Sequence, residues 1–388
     1  MARSAVNPGY LIPVLSKALD ILEVLHRYGQ PLPLETIHQQ TNIPKTTVYR
    51  ILKTLVHRGY LAHSPNGLYR VVSRPKKTCF GFGKQCGEMP FSEAVTASLR
   101  QAAVRAGIEL IVLDNRYDPA TAIHVAEEFV RRKVDLVIEF QIDQHAAPVI
   151  ADKIAADGIP LIAVDIPHPH AIYFGVDNYR VGFEAGDLLA DHAEQTWNGK
   201  VDSVLGLDIE EAGSLVQSRI TGSFQAIQKR LRHLSPASFV RIDGAGIREK
   251  SARIVAEFLR QHPRDRRILI SAANDTSGLG ALQAIRELHR EKHVAIVGQD
   301  CIQEAIDEMH RPGSPWIGSV SHEAANYGPA LIRLGLAILQ GATVPPYNFV
   351  EHKLIRADQL RDIATEKAIP PQRHLSGSNA SLSDCERA

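Results

Sequence analysis

Four apolar runs in the later part of the chain each end on a side chain that can exchange hydrogen bonds. Asp165 follows Ala163-Val164, Asn274 and Asp275 follow the run ending at Ser271, Asp300 follows Ile296-Val297-Gly298, and His322 follows Val320. A single Asp at a strand end is commonly a helix cap. Four successive units ending this way point to a shared cleft, because ligands of open α/β sheets bind outside the carboxyl ends of the strands. Planar, bidentate groups such as Asp, Asn and Arg suit a polyol, whose adjacent hydroxyls both donate and accept. A second set of residues is cationic. On a helical wheel from Pro44 onward, Val48, Ile51, Leu52 and Leu55 cluster on one side, and Thr46, Tyr49, Arg50, Lys53 and His57 on the other. Hydroxyl, aromatic and cationic groups on an exposed helix read base edges and phosphates in a major groove.

The elements that must carry the cationic set begin near residue 14. Val14, Leu15, Ala18, Leu19, Leu22 and Leu25 recur at three- and four-residue steps, which predicts one buried helical face ending at Gly29. Pro33 opens a short second helix with Leu34 and Ile37 inward, and Thr41-Asn42 makes a turn, since Asn tolerates a left-handed backbone. Pro44 suits the first position of the third helix, which Gly59 ends. Tyr60–His63 and Leu68–Val72 read as a hairpin about Ser64-Pro65-Asn66-Gly67 that lays Arg70 beside a DNA backbone or minor groove. Arg74-Pro75-Lys76-Lys77 reads as a linker.

From Thr78 the pattern changes to short apolar runs alternating with helical periods. Ten runs, from Cys79–Phe82 to Ile317–Val320, are separated in most cases by helices such as Phe91–Ala106 and Ser214–Leu231. Continuous apolar runs are the mark of parallel strands buried on both faces, and β-α alternation demands right-handed crossovers. Two successive doubly wound sheets fit this length. Tyr347–Leu354 reads as one final extended segment, and the tail beyond Asp362, with Pro370-Pro371 and Ser376-Gly377-Ser378-Asn379, as disordered.

Two resemblances sharpen this reading. Val14–Val72, above all Ser16-x-Ala18-x-x-Ile21-Leu22, the stretch Ile43-Pro44-Lys45-Thr46-Thr47-Val48-Tyr49-Arg50-Ile51-Leu52 and Gly59-Tyr60-Leu61, resembles the DNA-binding domain of the isocitrate-lyase-regulator (IclR) family of bacterial transcription regulators. The resemblance makes the third helix the recognition helix and implies contacts to double-stranded operator DNA from Lys45, Thr46, Thr47, Tyr49, Arg50, Lys53 and Arg70. The later part resembles the type I periplasmic-binding-protein fold, over about Thr78 to Asp358. That resemblance rests on Asp165, Val176-Asp177-Asn178, Asn274-Asp275 leading into Gly278-Leu279-Gly280-Ala281-Leu282, and Ile296-Val297-Gly298-x-Asp300. Its nearest branch is the ribose-binding type, also found as the effector domain of lac-repressor-family regulators. It implies a sugar between two lobes joined by three crossing strands, with Phe91 against the ring, Asp165 accepting from hydroxyls, Arg219 donating from the second lobe, and Asn274, Asp300 and His322 as further polar contacts. The chain departs from this pattern at Met89, where Asn is frequent, at Ile166, where Arg is common, and at Glu139, where a neutral residue is usual. Glu139 thus enters as a candidate contact, and a different polyol or a ligand with an amine remains open.

The expected architecture is α/β: an N-terminal winged helix-turn-helix (1–73), a linker (74–77), a two-lobed, doubly wound periplasmic-binding-protein-like domain (78–362) and a tail (363–388). Charge supports the division. Residues 1–77 carry eleven Lys and Arg against three Asp and Glu, a net +8, which leaves 33 bases and 40 acids, a net −7, for the remainder. A basic head on an acidic body points to a polyanion partner for the head.

Other function classes fare less well. No apolar run approaches the roughly 18–20 residues needed to span a bilayer, and Met1–Tyr10 lacks an export pattern, so a cytoplasmic location is expected, without a membrane partner. Cys79, Cys86, Cys301 and Cys385 have no C-x-x-C spacing, and Pro167-His168-Pro169-His170 reads as a stiff polar loop rather than a metal site. Gly81-x-Gly83-x-x-x-Gly87 superficially suggests a dinucleotide site, yet its third glycine is one residue late and Pro90 starts the helix beyond it. No cofactor, metal or catalytic residue is expected. A sugar receptor of a transport system is the alternative to a regulator. A homodimer is expected, because two half-sites one turn apart need two heads.

Overall fold

The computed structural model describes residues 12–72 and 77–360, so most of the linker and the whole tail lie outside the described residues. The chain falls into two compact units, Met1–Lys77 and Thr78–Ala388.

The first unit runs α1 (Pro13–Tyr28), β1 (Leu32–Pro33), α2 (Leu34–Thr41), α3 (Lys45–His57), β2 (Leu61–His63) and β3 (Leu68–Val71). Its three strands form an antiparallel sheet in the order β1-β3-β2. Gly29 and Asn42 end α1 and α2 in the left-handed conformation, which lets each helix stop and the chain turn. Ile21, Val24, Leu25, Ile37, Val48 and Leu52 form much of the core. The inward row expected for α1 is corrected: Val14, Leu15 and Leu19 are 59, 54 and 52% exposed. The first turns of α1 run past the bundle, where Val14, Leu15 and Ala18 wall an open groove with Ile51 and Leu55 of α3. Only the later turns, from Ile21 onward, reach the core.

The second unit contains two six-stranded sheets. The chain first builds β4 (Cys79–Lys84), α4 (Pro90–Ala106), β5 (Glu109–Asp114), α5 (Pro119–Arg132), β6 (Leu136–Glu139), α6 (Ala146–Ala156), β7 (Leu161–Val164) and β8 (Ile172–Gly175). It then crosses into α7 (Asn178–Trp197), β9 (Ser203–Asp208), α8 (Gly213–Arg230), β10 (Phe239–Asp243), α9 (Arg248–Gln261), β11 (Ile268–Ala272), α10 (Asp275–Glu287), β12 (Val294–Gln299), α11 (Gln303–His310) and β13 (Trp316–Ser321). A return crossing gives α12 (Ala324–Leu339) and β14 (Tyr347–Phe349), and a third gives β15 (Lys353–Arg356). The sheet orders are β14-β8-β7-β6-β4-β5 and β10-β9-β11-β12-β13-β15, parallel throughout except that β15 runs antiparallel to β13.

The single segment expected over Tyr347–Leu354 is thereby corrected. It is two strands in different sheets, separated at Val350–His352 because the chain changes lobe there. The crossover helix α7 packs on α8 through Gly182, Gly186 and Gly222. A Cβ on Gly182 would lie 1.9 Å from the carbonyl oxygen of Arg219, and one on Gly186 2.2 Å from that of Ser223. That close approach sets the depth of Arg219.

Candidate functional site

The carboxyl ends of the two sheets face each other across a cleft. Phe91, Asp165, Arg219, Asn274 and Asp300 all line it. Two of them hold uncommon backbone: Asp165, just after β7, has φ 60°, and Asp300, just after β12, has φ 98°. Left-handed backbone in residues other than Gly is sparsely populated, and it clusters where a side chain is aimed for function.

Arg219 is the central donor. Its Nε donates to Asn178 Oδ1 at 2.7 Å and one terminal nitrogen to the Ala273 carbonyl at 2.9 Å. Asn178 is held in turn by its Nδ2, which lies 3.2 Å from the Tyr173 hydroxyl and 3.3 Å from the Val176 carbonyl. Asn274 caps α10: its Oδ1 accepts from the Ser277 amide at 2.9 Å while its Nδ2 donates to the Gly246 carbonyl at 3.2 Å. Its neighbour Asp275 is buried and structural, accepting from Ser319 Oγ at 2.8 Å and from the Ile302 amide at 2.9 Å. Phe91 stands edge-on to Phe140, His322 and Tyr327 with ring centroids 6.4, 5.7 and 5.6 Å away.

The structure does not bring Glu139 or His322 to the cleft wall. Glu139 is fully buried at the end of β6, and its Oε1 accepts from Asn115 Nδ2 at 2.6 Å. A Cβ on Gly83 would lie 2.4 Å from Glu139 Oε2, so the glycine makes room for the carboxylate. His322 is also fully buried, with Nε2 3.0 Å from Gln299 Oε1 and Nδ1 3.2 Å from Asp300 Oδ1.

Burial without enough cations dominates the electrostatics. It pushes Asp165 up to about 6, against the opposing pull of Arg219, and Glu139 up to about 8. Burial, with the nearby Asp275 charge, raises Asp300 well above the carboxylate range. Burial, and next Arg219, holds His322 well below its ordinary value, so the ring is neutral.

Several lining residues were missed from sequence. Gln85 and Gln141 follow β4 and β6 and obey the same strand-end rule that singled out Asp165. Tyr117 also lines the cleft, and its hydroxyl donates to the Ala245 carbonyl at 2.9 Å across the lobes. Ile142 and Ile166 of one lobe meet Ile209 and Val216 of the other in one apolar cluster. The Gln144 amide donates to the Glu211 carbonyl at 2.8 Å over the same gap.

In the first unit, Thr46, Tyr49, Arg50, Lys53 and Arg70 are exposed. Lys53 Nζ lies 5.6 Å from the centre of the Tyr49 ring, which presents cation and ring together. Lys45 is ion-paired with Glu35, whose carboxyl that contact lowers. Thr47 is half-buried at the groove beside α1.

The open sides of Gly81 and Gly83 are filled by Phe129 and Glu139, leaving no bed for a pyrophosphate there. His168 Nδ1 lies 2.8 Å from the Ile166 carbonyl, and burial lowers this imidazole to about 4. Among the described residues no group of three His, Cys, Asp or Glu is placed to hold a metal, and no helix is long and apolar enough to cross a membrane.

Comparison with known proteins agrees with both halves. Residues 83–343 match the model of the periplasmic binding protein domain, and residues 14–65 that of the IclR helix-turn-helix domain. The D-ribose/D-allose-binding protein of Pseudomonas aeruginosa is 24% identical over 350 residues, 85% of this chain and 93% of that protein. The ribose import binding protein RbsB of Bacillus subtilis is 23% identical over 222 residues, 56% of this chain and 68% of that protein. A solute binding protein of Actinobacillus succinogenes 130z, solved with bound D-allose, superposes with a TM-score of 0.63 at 18% identity, over 74% of this chain and all of that one. One from Bacillus halodurans C-125, solved with bound myo-inositol, gives 0.63 at 17%, over 76% of this chain and all of that one. The chain belongs to the periplasmic-binding-protein-domain family and carries an IclR helix-turn-helix domain ahead of that fold.

Proposed function

We propose that this protein is a transcription regulator that binds operator DNA through α3 and the β2–β3 wing, and whose operator affinity is set by a small sugar or polyol held between the two lobes. The observation that carries the proposal is the union, in one chain, of an exposed cationic recognition face with a cleft lined by Asp165, Arg219, Asn274 and Asp300. Lys45, Thr46, Thr47, Tyr49, Arg50, Lys53 and Arg70 are the DNA contacts. Phe91 packs against the ligand ring. Glu139 and His322 act from behind the wall, Glu139 by fixing Asn115 and His322 by packing its ring against Phe91.

The protein works in the cytoplasm as a pair of chains, without cofactor or catalysis. The outward apolar residues at the start of the first unit, Ile12 just before α1 and Val14, Leu15 and Leu19 within it, support pairing of the DNA-binding units. Ligand closes the lobes, and a paired body converts closure into a changed separation of two recognition helices. A ligand shifts that equilibrium only through unequal affinity for the two states; moving it from 1:99 to 99:1 takes roughly 10⁴-fold. The similarity to a ribose import binding protein and a D-ribose/D-allose-binding protein favours a second reading, a sugar receptor of a transport system.

The test is a selection of operator sequences from random duplexes by the full chain, followed by anisotropy titrations with and without D-ribose, D-allose and myo-inositol. Sequence-specific binding that one of these ligands changes supports the regulator. Sugar binding with no DNA affinity above the non-specific level supports the receptor.

A further inference from the structure

The charge of the cleft is more negative than a neutral polyol requires. Two carboxylates, Asp165 and Asp300, line it, and Arg219 is the only cationic side chain among the lining residues. Arg219 has already committed Nε and one terminal nitrogen to Asn178 and Ala273, so its remaining donors cannot serve both carboxylates fully. Asp165 is buried, and its Oδ1 has no hydrogen-bond partner among the described residues.

Asp300 is no better provided. Gln299 donates its Nε2 to the Val181 carbonyl at 3.3 Å, which leaves Gln299 Oε1 as the atom facing His322. His322 Nε2 must therefore be the protonated nitrogen, and the neutral ring turns the lone pair of Nδ1, not a proton, toward Asp300 Oδ1 at 3.2 Å. Behind the walls stand Glu139 and Asp275, which are again acidic.

We propose that the ligand is a polyhydroxylated amine, an amino sugar or amino-polyol, whose ammonium group is held by Asp165 and Asp300. This deepens the sugar reading of the same cleft and rests on it. An ammonium supplies three donors where the protein supplies too few, and it cancels the excess negative charge. The low-polarity walls made by Ile142, Ile166, Ile209 and Val216 strengthen that attraction. Phe91, Phe140 and Tyr117 line the same space and offer π faces or edges to the ligand, the faces being favourable to a cation. The raised carboxyls of Asp165 and Asp300 are the same imbalance seen without a cation: a proton stands in for the ammonium.

The experiment is isothermal titration of the full chain at about pH 7.5 with matched probes: D-glucose and D-glucosamine, D-galactose and D-galactosamine, D-glucitol and D-glucamine. N-acetyl-D-glucosamine serves as a bulk control without charge. The expected result is that an amine binds at least about tenfold tighter than its neutral partner, and that Asp300→Asn brings the ratio to about one. Asp165→Asn, at a left-handed position that Asn tolerates, gives a second variant should the first fold poorly. A neutral sugar or polyol that binds as tightly as its amine partner overturns the amine while leaving the polyol reading in place. If no probe of either kind binds to folded protein, both fall.

Discussion

Replacing Asp165 by Asn isolates what the cleft costs the fold. Asp165 is buried, and burial raises its carboxyl from an unfolded value near 3.8 to about 6. A raised acid binds more protons in the native state than in the unfolded one. Its protonated form therefore favours the native state at low pH, and that advantage disappears as pH rises through the folded value. A shift of this size corresponds to about 3 kcal/mol between roughly pH 3 and pH 7.5, of which nearly half falls between about pH 5 and pH 7.5. The substitution removes the titration, and Asn also tolerates the φ of 60° at this position. Asp165→Asn should then be more stable than the parent at about pH 7.5, and that gain should shrink by about 1–1.5 kcal/mol at about pH 5. Urea unfolding followed by tryptophan fluorescence reads the correct unit, because the chain has only two Trp, Trp197 and Trp316, both beyond Thr78. Stability differences between parent and variant that stay constant from about pH 5 to 7.5 would refute the argument that Asp165 is an underpaired buried acid.

Other perturbations probe separate parts of the account. Arg50→Ala with Lys53→Ala should weaken operator binding and reduce the slope of log affinity against log salt by roughly 2, read by anisotropy over a salt series. Arg219→Ala should leave DNA affinity of the ligand-free protein nearly intact while abolishing the response to ligand; a normal response would remove Arg219 from the site. Gly182→Ala drives a methyl into the Arg219 carbonyl, so it should cost about 1–3 kcal/mol in thermal unfolding and weaken ligand binding with it. Leu15→Ser with Leu19→Ser should lower the fraction of paired chains in sedimentation without lowering the melting temperature of the first unit, because both side chains point outward.

Much of the framework was legible because both patterns in it are strong. Buried parallel strands leave continuous apolar runs, and the expected run Cys79–Phe82 falls inside strand β4, Cys79–Lys84. The strand-end rule found Asp165, Asn274 and Asp300 because a residue just beyond a parallel strand lies at the end of the sheet that borders the cleft. The rule cannot tell a side chain that turns outward from one that turns back. His322 follows its strand as Asp300 does, yet its ring packs inward against Phe91 and Gln299. Glu139 misled for a related reason: the space that takes its carboxylate is created by Gly83 on the next strand, which no local pattern reveals. Periodicity also failed at α1, where the apolar row is continuous but only Ile21, Val24 and Leu25 are buried in the core while Val14, Leu15 and Leu19 stay exposed. The division of Tyr347–Leu354 between two sheets is set by the third lobe crossing, a tertiary fact with no local signature.

The coupling of cleft to operator is the central claim. Its most direct measurement is the dissociation constant for a selected operator duplex, at fixed salt, with and without a saturating ligand shown by calorimetry to bind the cleft. The account predicts a change of tenfold or more, absent in Arg219→Ala, and an equal reciprocal change in ligand affinity when operator is bound. An operator affinity that is the same with the cleft filled as without would contradict it.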